Sequence, residues 1–507
     1  MYKLRDYQNI QLDFLENHVP LSNVTCIQSG TGSGKSIVIM EFVRRYLEQN
    51  PLKNVIISTG FNNLVFDMET RSKEFNLQSI VLIGKKAINC PLKLHDYKYF
   101  TREDYTCGDE HKSFDNSTND WNKKSCPLCK DKYLQLKNEI LNARGKVIIT
   151  NHSTLLVQQS LFKNIGIIII DEAHTFGAFY DSFLELKLDK NDLRILDKCI
   201  NKIKQPMSNI IKMNINNNVE LPRKQIEKIV EICKDDTERA DKFKEFFTTK
   251  RDYSNFVSIE NDEYTLSKFY KYYDLDIEGK IILFSATLDK YTLSMFRASR
   301  SHVYIEYKMF CDYSKSTFLA LPRDNFKNAL ISFLDYTHNL GYKIGCILST
   351  TIFDMNIALS INGYNGYKMF TDKTKFEQYN GNKILVGSRG LFQGIDLPEL
   401  QFVCLNKFPF PNYDDKNRAL RNYLTDRETN GYDFWNDYTI PKCENDISQS
   451  LGRLWRKPDS FGVVSIFDER LEKFKYMIKH TMYNNRHGIK FLIMDQDNII
   501  NDWDVKN

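Results

Sequence analysis

The chain has 507 residues, too many for one ordinary core and enough for about three or four domains. Hydrophobic residues make up 42% and charged residues 27%, which excludes a disordered or fibrous chain, and the net charge of +5 permits a polyanionic partner without requiring one. The opening "MYKLRDYQN" has no apolar signal core, and the longest apolar run, 165–170, is far short of the roughly 20 residues of a membrane span. A soluble, cytoplasmic protein with reduced thiols and no membrane partner is therefore expected.

Short β-branched runs, each followed by a loop signal and a helical pattern, predict buried parallel strands. The first, 23–28, runs into "SGTGSGKS" and then a helix with Ile39, Phe42, Val43, Tyr46 and Leu47 on one face. Strand, glycine-rich loop and helix are the context of a phosphate loop built from Ser29, Gly30, Thr31, Gly32, Ser33, Gly34, Lys35 and Ser36. Its backbone N–H groups can surround a phosphate, Lys35 can reach the β- and γ-phosphates of ATP, and the Ser36 hydroxyl can ligate Mg²⁺. The alternative is a glycine-rich turn with an incidental lysine.

Strands follow at 54–59, 146–150 and 165–170, the last ending in "DEAH". Two adjacent acids closing so apolar a strand suit the ligand crevice at the carboxyl edge of a parallel sheet. Asp171 would hold Mg²⁺ through water, and Glu172 would orient and deprotonate the attacking water. A helix cap accounts for the acids locally but not for both motifs in this order. Strand 280–284 leads into Ser285 and Thr287, which alone read as a strand end and a helix cap.

A second series of strands, at 303–307, 344–348, 384–387, 402–405 and 463–467, predicts a second α/β domain. Within it, "GSRGLFQGIDLPE" places Asp396 in a glycine-bearing loop that could couple the domain to nucleotide or to the first domain. "QSLGRLWR" carries Gln449, Arg453 and Arg456; the arginines, three apart on a helix, share a face and suit a γ-phosphate, although a solvated basic face is the plainer reading.

Two segments interrupt the first domain. Residues 183–277, with "RKQIEKIVEICKDDTERADKFKEFF", read as a mainly helical insertion. Residues 85–145 hold Cys90, Cys107, Cys126 and Cys129, four of the chain's 11 cysteines. Four thiolates can make a tetrahedral zinc site or hold an iron–sulfur cluster, and one close pair, Cys126 and Cys129, fits either; metal-free thiols are a third option. No strand–CxxC–helix unit surrounds the pair, which argues against a thioredoxin-type redox site.

Arg5 and Gln8, then "SGTGSGKS", "DEAH", "SAT", "GID" and "QxxGRxxR", run in the order of a superfamily 2 helicase. "GKKAINCP", "VIITNHSTLL", "FQGIDLPELQFVCLNKFPFP" and "GRLWRKPDSFGVVSIFDERL" resemble the XPD and DinG branch in particular. The resemblance spans Arg5 to Arg470. It implies an α/β fold of two RecA-like parallel-sheet motor domains in tandem, the first interrupted by a small Fe–S domain and an arch-like insertion. The implied domains are 1–84, 146–182 and 278–300 for the first motor, 85–145 for the cysteine domain, 183–277 for the arch and 301–507 for the second motor.

The resemblance also implies ATP-driven 5′→3′ movement on single-stranded DNA and at single-strand/duplex junctions, by a monomer. Gln8 with Arg5 would read adenine, and His174, Ser285 and Thr287 would link hydrolysis to the DNA site. Phe408 and Phe410 would lie near the strand, or simply in the core. Position between the phosphate loop and DEAH favours a 4Fe–4S cluster over zinc. Some relatives carry a nuclease domain ahead of the motor, and none is expected here. An RNA helicase or remodelling ATPase with structural zinc is the alternative reading, and the Asn-, Lys- and Ile-heavy composition suits a bacterium or its phage.

Overall fold

Continuous burial explains the strands. Val55, Ile56 and Ile57, then Ile167 to Ile170, are wholly inaccessible, as runs sandwiched between helices must be. The computed structural model describes residues 4–30, 33–84, 127–188, 192, 253–260, 263–270, 272–305, 312–321, 325–387, 397, 399–411, 433, 435–455, 459–483, 488–495 and 498–502. In chain order its strands are β1 (Val24–Gln28), β2 (Asn54–Thr59), β3 (Ser79–Leu82), β4 (Val147–Asn151), β5 (Ile165–Asp171), β6 (Glu185–Leu188), β7 (Tyr253–Glu260), β8 (Glu263–Tyr270) and β9 (Lys280–Ser285). Then come β10 (Val303–Ile305), β11 (Thr317–Leu321), β12 (Ile344–Leu348), β13 (Lys368–Phe370), β14 (Lys383–Gly387), β15 (Phe402–Leu405), β16 (Val463–Phe467), β17 (Lys490–Asp495) and β18 (Asn498–Asp502).

They form two large sheets, as the tandem α/β reading requires. The first has the order β10-β1-β9-β5-β2-β4-β3 and is parallel throughout. The second has the order β13-β14-β12-β15-β16-β11-β17-β18, parallel except for the β17–β18 hairpin. Apolar clusters cover each sheet on both faces. Topology then positions the site. β9 lies between β1 and β5, with Gln28 opposite Ser285 and Phe284 opposite Asp171. The phosphate loop, the Ser285 turn and the two acids thus emerge side by side at one carboxyl edge.

Two sequence-based expectations change. The boundary at 300/301 assigns strand 303–307 to the second domain, yet β10 pairs in parallel with β1, Cys26 opposite Val303, and so closes the edge of the first sheet. The insertion 183–277 is not mainly helical where described: β6, β8 and β7 make an antiparallel sheet, with Leu186 opposite Leu266. The Lys- and Glu-rich segment within it, expected to be helical, lies outside the described residues. Strands β3, β11, β13, β17 and β18 are short or patterned too weakly to stand out in the sequence.

Candidate functional site at the seam of two sheets

Gly34 caps the helix Lys35–Gln49 in the left-handed region (φ 80°), where a Cβ would also meet the Gln8 amide nitrogen at 2.6 Å. Only glycine suits both the turn and the contact. Lys35 bends back over the loop, its Nζ donating to the carbonyls of Ser29 (3.1 Å) and Gly30 (3.4 Å), so its charge sits where a phosphate would enter. Ser36 begins the same helix, half-buried. Thr31 and Gly32 lie outside the described residues.

The helix Asp6–His18 braces this loop. Tyr7 Oη and Gln8 Nε2 both donate to the Ser33 carbonyl, at 2.8 and 3.1 Å, and Gln11 Nε2 donates to Ser29 Oγ at 3.2 Å. Gln8 also accepts from the Arg5 backbone N–H, and the Arg5 guanidinium donates to Tyr7 Oη at 2.9 Å. The Gln8 side chain is thus tied to the phosphate loop itself, and Tyr7 and Gln11 are site residues that no sequence motif singles out.

At the end of β5 Asp171 is 7% exposed, and its Oδ1 is buried with no hydrogen-bond partner. Burial pushes this carboxyl up to about 7, the Glu172 charge adds to the effect, and Lys35 opposes it. A buried carboxylate oxygen with an unmet acceptor, beside a half-buried serine hydroxyl and a lysine, fits a hydrated Mg²⁺ carrying phosphate. Glu172 caps the helix Ala173–Phe183 with φ 52° and ψ 45°, a left-handed conformation that costs an L-residue roughly 1–2 kcal/mol. Both the N–H and the hydroxyl of Thr175 bond its carbonyl at 2.8 Å.

His174 connects this edge to the second sheet. Ser285 Oγ donates its single proton to the Thr287 carbonyl at 2.7 Å. It therefore accepts from His174 Nδ1 at 2.8 Å, which fixes the Nδ1–H tautomer. His174 Nε2 is left as an acceptor, and the Gln449 amide nitrogen approaches it at 2.6 Å while also donating to Thr287 Oγ1 at 3.3 Å. Burial lowers the His174 pKa, in keeping with a neutral ring. Glu172 Oε2 lies 3.4 Å from His174 Nδ1, so Glu172, the strand β9 turn and the helix Ile440–Leu451 form one polar chain.

Three further contacts close the seam. Asn445 Nδ2 donates to Asp289 Oδ2 at 3.0 Å, Lys290 pairs with Asp437 at 2.6 Å, and the Tyr291 and Tyr438 rings meet edge to face at 5.0 Å. Arg453 follows the Gln449 helix and is 3% exposed. Arg456 and Asp396 lie outside the described residues. Phe408, at 2% exposure, belongs to the core of the second domain, so core packing rather than base stacking accounts for it. Phe410 packs on Phe474 and Trp435 beneath the Arg470 guanidinium.

Cys90, Cys107 and Cys126 lie outside the described residues, and Cys129 falls at the start of the helix Pro127–Leu141. Among the described residues no cluster of His, Cys, Asp and Glu is placed to hold a metal through three or more side chains. No described helix is long and apolar enough to cross a membrane.

Two families match the chain: "Type III restriction enzyme, res subunit" over residues 1–213, and "Helicase C-terminal domain" over residues 362–484. The ATP-dependent DNA helicase YoaA of Escherichia coli K12 is 32% identical over 93 residues, 18% of this chain and 14% of YoaA. The 3'-5' exonuclease DinG of Staphylococcus haemolyticus is 29% identical over 127 residues, 24% of this chain and 13% of DinG. The matched segments are thus a small part of those relatives' lengths. A solved XPD helicase shares the fold over 97% of this chain and 100% of its own (TM-score 0.59, 17% identity), and S. tokodaii Xpd4 does so at TM-score 0.57 and 13% identity, with the same coverage. The two family models thus match separate stretches of the chain, the curated helicase and exonuclease match short segments of it, and the XPD structures share its fold.

Proposed function

We propose that the chain is an ATP-driven motor that translocates 5′→3′ on single-stranded DNA and opens duplex at single-strand/duplex junctions. The observation that carries this reading is the polar chain from Glu172 through His174 to Gln449, which joins the hydrolytic acid of one sheet to a helix of the other. Lys35 and the loop N–H groups bind the β- and γ-phosphates. Glu172 holds and deprotonates the attacking water, and Arg453, with Arg456, neutralises charge on the γ-phosphate as it departs. Asp171 and Ser36 would hold Mg²⁺, which would neutralise charge on the phosphates. Loss of the γ-phosphate alters what Glu172 and Arg453 face, and the His174 link passes that change to the helix Ile440–Leu451. Opening and closing of the seam is the stroke.

The four cysteines are proposed ligands of a 4Fe–4S cluster that stiffens a small domain beside the DNA path, with zinc as the alternative; acid-labile sulfide and iron in anaerobically purified protein distinguish the two. A monomer suffices, because both halves of the ATP site lie on one chain. The reading is tested by ATP turnover with single-stranded DNA, with single-stranded RNA and with neither. Strong stimulation by DNA alone supports it, stimulation by RNA alone favours the RNA-helicase reading, and no hydrolysis under any condition rejects the motor.

A further inference from the structure

We propose that His152 and Ser58 form a positioning pair that fixes Glu172 through the strand ends and helix behind it. His152 starts the helix His152–Val157 directly after β4 and is wholly buried. Its Nδ1 lies 2.8 Å from Ser58 Oγ, near the end of β2. Ser58 is in register with Thr150 on β4 and with Ile170 on β5, one residue before Asp171. The pair therefore ties together the carboxyl ends of three adjacent strands, one of which delivers both acids.

The ring reaches further. Phe176 and Phe179, on the first turns of the helix that Glu172 caps, meet the His152 ring edge to face at 5.2 and 5.4 Å. Its Nε2 is buried without a hydrogen bond. His152 is thus a wedge between the strand ends and the helix that Glu172 caps. On the other side of Phe179, Phe61 packs edge to face at 6.0 Å, and Gly60 comes so close to Thr175 that a Cβ there would lie 3.1 Å from its hydroxyl.

Glu172 needs such support. Its left-handed backbone persists only where surroundings over-determine it. Thr175 fixes the carbonyl from within the helix, and the His152 wedge fixes the helix from the sheet side. A histidine that merely filled space would be replaceable by leucine. A polar positioning residue would not be, because Ser58 Oγ would lose the nitrogen that faces it.

The proposal rests on the ATP-hydrolysis reading, and its test separates the two. ATP turnover with saturating single-stranded DNA and thermal midpoints are compared for wild type, His152→Leu, His152→Asn and Ser58→Ala. Expected is a fall in kcat of about tenfold or more for His152→Leu, with KM for ATP within about twofold. His152→Asn, whose amide falls near the Nδ1 position and can keep the bond to Ser58 Oγ, recovers most of the loss, and Ser58→Ala loses about threefold. If His152→Leu does not fold, Ser58→Ala and His152→Asn carry the same comparison. Wild-type kcat in His152→Leu or Ser58→Ala overturns the proposal. So does a kcat loss that tracks the thermal midpoint and is not recovered by asparagine. A wild-type chain that hydrolyses no ATP overturns the parent reading as well.

Discussion

The bond between His174 and Gln449 is the most exposed point of the account, and a double-mutant cycle tests it. In Gln449→Leu the His174 Nε2 loses the donor that now stands 2.6 Å away, in a position where the histidine side chain is 7% exposed. A buried acceptor left without a partner costs about 1–3 kcal/mol, which corresponds to roughly 5- to 150-fold in rate if the bond is needed in the hydrolysing state. His174→Leu also breaks the bond to Ser285 Oγ at 2.8 Å, so its penalty is larger. The two penalties overlap in one shared bond. The cycle should therefore return a coupling of about 0.5–1.5 kcal/mol. The assay is ATP turnover at saturating nucleotide and single-stranded DNA for wild type, both single variants and the double. A bond made on closure lowers kcat and leaves KM for ATP nearly unchanged. Penalties that add to within about 0.3 kcal/mol would show that the two side chains act independently, and the seam would lose its role as transmitter.

Three further outcomes follow from the same geometry. Glu172→Gln keeps the shape of the site but not its base, so turnover should fall by at least about 10², while nucleotide binding measured by calorimetry survives. Asp468 is 2% exposed and accepts from the Phe408 N–H and from the Arg470 N–H, Nε and a terminal guanidinium nitrogen. Burial raises its pKa, but these bonds outweigh it and hold the carboxyl below its ordinary value. Its contribution to stability is therefore present above the unfolded pKa of about 3.9 and is lost as pH falls through the lower folded value. Asp468→Asn should lower stability by about 1.5–3 kcal/mol at neutral pH, and the gap to wild type in urea melts should narrow in acid. Finally, Cys126→Ser should bleach a brown protein absorbing near ~400 nm while part of the ATP turnover persists. A colourless wild type carrying stoichiometric zinc and no iron would reject the cluster.

The legible part of the fold was local in origin. Ser29–Ser36, Asp171 and Glu172 stand out because strand, loop and helix follow one another within a dozen residues, and a parallel sheet then brings the strand ends together without further instruction. β10 was misassigned because three residues carry too little pattern to declare their sheet; pairing with β1, almost 280 positions earlier, decides it. The insertion's antiparallel sheet was hidden behind a neighbouring Lys- and Glu-rich segment whose helical periodicity dominates the composition. Tyr7, Gln11, Ser58 and His152 carry no motif of their own. Their partners are 18 to 94 positions distant, so their roles exist only once the chain is folded. Phe408 shows the reverse: "KFPFP" fits either a place near the strand or the core, and burial in the second domain assigns it to the core.

The central claim is that both sheets work as one ATP-driven motor on single-stranded DNA. Strand displacement on duplexes with either a 5′ or a 3′ single-stranded tail, with ATP, tests it most directly. The account predicts unwinding from the 5′ tail only, abolished in Glu172→Gln. Unwinding from the 3′ tail, or ATP hydrolysis that no single strand stimulates, would contradict it.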